Sequence, residues 1–139
     1  MITRRATYSL LFVALSALPI AFLAGCRPGT AAKPELPESV SPGWKLASYT
    51  ESPVPPGVPA VSPPQCWKGQ YEGVGTAEVW ACGYRERGSA FDAVQRTPAA
   101  AQTVKFQEGN YLVLVKWSRV PKADLTALIR AIQKTVSPK

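Results

Sequence analysis

Residues 66–82 read Cys66-Trp67-Lys68-Gly69-Gln70-Tyr71-Glu72-Gly73-Val74-Gly75-Thr76-Ala77-Glu78-Val79-Trp80-Ala81-Cys82. Two strand-like runs flank Gly73-Val74-Gly75, which is a turn signal. Folded about Val74 as an antiparallel hairpin, the run sets Tyr71 opposite Ala77, Gly69 opposite Val79 and Trp67 opposite Ala81. That face is wholly apolar or glycine. The other face pairs Glu72 with Thr76, Gln70 with Glu78, Lys68 with Trp80, and Cys66 with Cys82. A slip of one residue would mix the faces and separate the cysteines. Cross-strand Cα spacings admit a disulfide, and closing a loop of this size stabilises by roughly 3 kcal/mol in the chain-entropy model. Two buried free thiols are the alternative.

The chain beyond the hairpin alternates helix and strand signals. Ser89-Ala90-Phe91-Asp92 opens a short helix with a variant of the capping box. Phe91 and Val94 are expected to face the core, and Pro98 ends the helix near Arg96. Residues 103–107 and 111–117 form a second hairpin around Gly109-Asn110. It pairs Phe106 with Val113 and Val104 with Val115, and on the other face Lys105 with Leu114 and Gln107 with Leu112. Pro121 suits the first turn of a terminal helix. Leu125, Leu128, Ile129, Ile132 and Val136 form one apolar stripe at helical spacing, expected to pack on the sheet.

Ahead of the hairpin, residues 52–64 carry six prolines. Proline there forbids helix and central strand, so the segment reads as a polyproline II strap over the domain surface. A ligand for another protein's groove is the other use of such a segment. Residues 44–49 read as a short strand. Residues 27–43 lack aromatic residues and are rich in Pro, Ala, Ser and Glu. They read as a tether that, at ~3.1 Å per residue, reaches about 50 Å. The expected fold class is α+β: a small antiparallel sheet of two hairpins with two helices on one face, preceded by a Pro-rich tether.

The N-terminus carries a targeting signal. Met1-Ile2-Thr3-Arg4-Arg5 is basic, and residues 10–24 are uncharged and mostly apolar. A basic start, an apolar run and a small-residue exit make a secretory signal. An uncleaved transmembrane helix is the alternative, since about 20 apolar residues span a bilayer. Pro19 and Ala24-Gly25-Cys26 favour cleavage. Leu23-Ala24-Gly25-Cys26 resembles the lipobox of bacterial lipoproteins. The resemblance implies cleavage before Cys26 and acylation (palmitate among the chains) of that residue. It divides the chain into a signal peptide (1–25), lipidated Cys26 with its tether (26–43), and a single α+β domain (44–139) with the strap at 52–64. Arg27 follows the cysteine where an inner-membrane retention signal would place aspartate. The expected location is the bacterial cell envelope, and in a two-membrane cell the outer membrane facing the periplasm.

A second resemblance covers residues 84–133. Tyr84, Ser89-Ala90-Phe91-Asp92-Ala93, Phe106, Gly109-Asn110-Tyr111-Leu112-Val113 and the stripe at 125–132 resemble an uncharacterised domain family of secreted bacterial proteins. This implies an order of elements and carries no activity.

The 139 residues contain 16 basic and 9 acidic side chains and no histidine. Without residues 1–25 the net charge is +5. A mildly basic exported domain suits anionic envelope polymers or headgroups, and nucleic acid is not an expected partner. Absent histidine excludes Ser-His-Asp and Cys-His catalysis and the commonest zinc ligand. With Cys26 acylated, Cys66 and Cys82 form the even remainder expected to pair in an oxidising compartment. The acids are scattered, and Glu72 and Glu78 fall on a solvated face. No catalytic residue, metal site or cofactor is expected.

These readings make the chain a non-enzymatic, membrane-anchored envelope lipoprotein that presents a small interaction domain. The expected partners are the membrane, through the anchor, and an envelope protein or anionic envelope polymer. The alternative is a small-ligand or lipid binder with a pocket between sheet and strap. The candidate interaction surface is Trp80, Lys68, Leu112, Leu114, Lys105 and Lys116, either facing a partner or lying beneath the strap.

Overall fold

The computed structural model describes residues 31–59 and 63–137. The signal segment and Cys26 lie outside the described residues. The architecture is α+β, with six strands and two helices among the described residues. β1 (Ser39–Val40), β2 (Trp44–Ser52), β3 (Gln65–Glu72), β4 (Thr76–Gly83), β5 (Thr103–Glu108) and β6 (Tyr111–Ser118) form one sheet in the order β1-β2-β3-β4-β6-β5. Every neighbouring pair is antiparallel. The sheet is therefore larger than the two hairpins expected from the sequence.

β3 and β4 pair with Cys66 opposite Cys82 and Tyr71 opposite Ala77, the register that sorts the two faces. β5 and β6 pair Phe106 with Val113 and Lys105 with Leu114. β4 then pairs with β6 over its whole length, from Thr76↔Ser118 to Gly83↔Tyr111, which joins the hairpins into one sheet. On the other side β2 pairs with β3 through a bulge between Leu46 and Ser48. The extra residue puts both Leu46 and Tyr49 against the same core.

The helices lie on opposite faces, which corrects the expectation that both cover one. α2 (Lys122–Val136) buries Leu125, Leu128, Ile132 and Val136 against Tyr71, Ala77, Val79, Val113 and Val115. The Trp44 indole N–H donates to the Asp124 carbonyl at 3.0 Å and fixes the start of this helix to β2. α1 (Arg87–Arg96) packs Ala90 and Ala93 against the Cys66–Cys82 pair, Leu112 and Leu114, the alternate residues of the same strands. Phe91 points away and is 53% exposed. Two small residues let the helix approach the sheet closely, whereas Phe91 would have held it off. The helix also begins earlier than the serine cap suggested, with Glu86 at its N-cap and no side-chain cap bond.

The tether expected at residues 26–43 is corrected over its described part. Residues 31–43 lie on the α2 face of the sheet instead of standing free. Leu36 is 7% exposed and joins the α2 core. Three phenols bind the backbone of this arm: Tyr111 to the Ala32 carbonyl at 2.5 Å, Tyr49 to Pro34 at 2.6 Å, and Tyr71 to Pro37 at 2.7 Å. Strand glycines make room for it. A side chain at Gly69 would come within 2.7 Å of Leu36, and one at Gly83 would overlap Ala31. β1 completes the arm by pairing with β2.

Leu36→Ala is expected to cost about 2–4 kcal/mol in urea unfolding, as buried large-to-small changes do. A free tether would show no change. The tyrosines add a pH dependence. Tyr49 and Tyr71 are held above the ordinary phenol value, mainly by burial and secondarily by each neighbouring phenol (Tyr111 for Tyr49, Tyr49 for Tyr71). The unfolded chain releases these protons near pH 10 while the folded one keeps them. Their contribution to stability is thus complete below about pH 10 and is lost as the pH rises further. A Tyr49→Phe/Tyr71→Phe/Tyr111→Phe protein should lose about 1 kcal/mol per hydroxyl at pH 7. Its stability should decline less steeply than that of the parent between pH 9 and 11.

Candidate functional site

The sheet face beneath α1 holds the residues singled out in the sequence, and it treats them differently. Leu112 and Leu114 are buried, covered by Ala90 and Ala93 of α1 and by Val54 and Val58 of the strap. They do not form an open patch. Lys105 is spent within the fold. Its ammonium donates to the Val94 carbonyl at 2.8 Å and to the Thr97 carbonyl, closing the C-terminal end of α1. A cation suits that end of a helix. Lys68 pairs with Glu78 at 2.8 Å and stands 5.0 Å above the Trp80 ring. Both partners are about a third exposed, so the pair contributes at most about 1 kcal/mol. Only Trp80 and Lys116 remain accessible to a ligand together.

Cys66 and Cys82 are disulfide-bonded across β3 and β4 with a Cα separation of 4.1 Å. The bond lies beneath α1, in the cluster that includes Tyr84 and Val58. Tyr84 is 2% exposed and its hydroxyl has no partner among the described residues. Burial raises the pKa of this phenol, so it stays protonated in the folded protein.

The strap does not lie flat on this face. Residues 53–59 leave the end of β2 and turn over the sheet through a Val58 N–H to Pro55 carbonyl bond of 3.3 Å. Gly57 adopts φ +87° and approaches Pro98 just past α1. Between the strap and the α1–β5 connection a cleft of about 260 Å³ stays open. Trp80 and Leu114 line it from the sheet, Pro55 and Pro56 from the strap, and Pro98 and Ala101 from the connection. Lys116 lines it as well, exposed and opposite Thr103. This volume is near the lower end of the ~300–1,000 Å³ usual for ligand pockets.

The lining bears on chemistry. Thr97 and Thr103 reach the cleft, but their hydroxyls donate to the Ala93 carbonyl at 2.6 Å and the Ala101 carbonyl at 3.1 Å. No carboxylate, thiol or imidazole is among the described residues that line it. What it offers is an apolar slot with an indole, proline rings and one ammonium. A second, shallower depression of about 150 Å³ continues beyond Lys116 toward Gln70 and Glu78. Among the described residues no three His, Cys, Asp or Glu side chains gather as metal ligands, and no helix is long and apolar enough to cross a membrane.

The sequence pointed to Trp80, Leu114 and Lys116 but missed the other wall. That wall is residues 97–101, Thr97-Pro98-Ala99-Ala100-Ala101. The available signal was an uncharged connection of small residues around a single proline. No family model, curated protein or solved structure matches the chain.

Trp80→Ala with Leu114→Ser tests whether this face is covered. The pair should lower stability by about 2–4 kcal/mol, as loss of buried side chains does. An unchanged melting temperature would mean that the face is open.

Proposed function

We propose that this protein is a non-enzymatic lipoprotein of the bacterial cell envelope, anchored through acylated Cys26. Its domain binds a small amphiphile with an apolar body and an anionic head. In a two-membrane cell it sits on the periplasmic side of the outer membrane. The observation that carries the binding reading is the cleft between strap and sheet. Its walls are apolar on three sides, and Lys116 lies on its rim. An apolar chain or ring displaces water against Trp80, Leu114 and the prolines, which favours binding by roughly 25 cal/mol per Å² of apolar surface buried. The ammonium of Lys116 selects a carboxylate, sulfonate or phosphate at the mouth. The absence of histidine and of any acid among the described lining residues supports binding without catalysis.

A flat interaction surface around Trp80 is favoured less, because α1 and the strap roof Leu112 and Leu114. The membrane reading rests on Leu23-Ala24-Gly25-Cys26. Cys26→Ala should abolish acyl labelling and release the protein from the membrane fraction.

Decanoate is a suitable probe for the cleft, with decyltrimethylammonium as the control of opposite charge. Calorimetric titration should show saturable decanoate binding. Lys116→Glu should weaken it at least tenfold, and Ala101→Phe, which fills the cleft, should abolish it. Equal binding of both probes, or decanoate binding insensitive to both substitutions, would refute the ligand reading. A flat titration curve would favour a protein partner instead.

A further inference from the structure

The docked arm changes how the domain can stand on a membrane. Residues 31–43 are packed on the domain, and in sequence Arg27-Pro28-Gly29-Thr30 join them to Cys26. From Cys26 to Ala31 the chain takes five steps, at most about 18 Å when fully extended. A free tether of residues 26–43 would instead have left the domain's orientation unconstrained.

The place where the arm begins is well defined. Ala31 lies against Gly83, and the Ala32 carbonyl accepts from Tyr111. Gly83 and Tyr111 are paired at one end of the central strands. The same end gathers the β4–α1 connection and the β5–β6 turn. The Tyr84 N–H donates to the Asn110 carbonyl at 2.8 Å, and the Gln107 amide to the Arg87 carbonyl at 3.0 Å. The C-terminal end of α2 joins them through Ser137, whose hydroxyl donates to Glu108 at 2.7 Å. The opposite end carries the β3–β4 turn at Gly73-Val74-Gly75 and the start of α2. An eight-residue strand separates the two ends, about 26 Å.

The leash is shorter than the strand. An upside-down domain, with Gly73-Val74-Gly75 on the bilayer, would need at least 26 Å of chain to reach back to the anchor. About 18 Å does not suffice. An inverted domain is thereby excluded, and the end bearing Gly83 and Asn110 stays within about 18 Å of the anchor. Its described charges are Arg85, Arg87 and Lys134, all exposed, against Glu86, Glu108, which is bonded to Ser137, and Glu51, which accepts from Gln65 at this end of β2 and β3. Arg27 adds a further positive charge within the leash.

We propose that the domain docks end-on against an anionic phospholipid leaflet, with Arg85 and Arg87 in the headgroup layer and the Trp80–Lys116 cleft held in water. The proposal rests on acylation at Cys26. It places Lys116, on the rim of the cleft, five residues along β6 from Tyr111, while Trp80 and Leu114 lie three residues along their strands from Gly83 and Tyr111.

Hydrogen exchange on the full-length, acylated protein tests it. The protein is compared in vesicles of phosphatidylglycerol with phosphatidylcholine and in neutral detergent micelles. Amides at 85–88 and 109–110 should exchange several-fold more slowly on the vesicles, while those at 73–76 should not change. Arg85→Glu/Arg87→Glu, both at exposed positions, should remove the slowing although the protein still floats with the vesicles. Inserting fifteen Gly/Ser residues after Thr30 should weaken it as well. Protection at 73–76, or no protection in protein that carries its acyl chains and floats, overturns the orientation alone. An intact mass without acyl chains, together with failure to float, overturns the anchor and the orientation with it.

Discussion

The pairing of β4 with β6 is the contact on which the remaining architecture depends. Each belongs to its own hairpin, and a lone hairpin is at best marginal in water. Their union makes Tyr111–Ser118 an interior strand of the sheet, between β4 and the edge strand β5. Residues 112–115 of that strand are all buried, Val113 and Val115 toward α2, Leu112 and Leu114 toward α1. A strand apolar on both faces requires a cover on both. The two helices therefore divide between the faces. Two cores result, one built on β-branched residues and aromatics, the other on a disulfide, two leucines and two alanines.

The arm at residues 31–43 solves a related problem. α2 alone does not cover the whole of its face, because β2 and β3 extend the sheet beyond it. Leu36 fills the space above Gly69, and three tyrosine hydroxyls hold carbonyls that a proline-containing segment cannot pair in a regular ladder. The segment resembles a linker in composition and behaves as part of the core. Besides the β1–β2 pairing, its hydrogen bonds come from side chains of β2, β3 and β6, so they form only once those strands are assembled.

The cleft arises from the same two-faced burial. α1 is short and covers Leu112 and the disulfide end. The strap comes over from β2 and meets Pro98. Neither reaches Trp80 and Lys116 fully, and proline-rich backbone cannot bend to close the gap. An apolar slot with an ammonium on its rim is what remains. Lys105, two pairs along from Lys116 in the β5–β6 ladder, is bound to the end of α1 and so does not contribute a second charge to the slot.

The sequence by itself determined the registers. In 66–82 the alternation of faces and the two cysteines admit one pairing, and Gly109-Asn110 does the same for the second hairpin, because side-chain direction in a strand has a period of two. The stripe of α2 was legible for a similar reason, with a period of 3.6 that reaches over fifteen residues. The proposed targeting signal was read from composition. Tertiary structure decided what periodicity does not encode. It chose the face of α1, whose ten residues offer Phe91 on one side and Ala90, Ala93 and Val94 on the other, and where closeness of approach outweighs apolar area. It docked residues 31–43, whose partners are tyrosine hydroxyls and glycine gaps far away in sequence. It also opened the cleft, which exists only where three segments fail to meet.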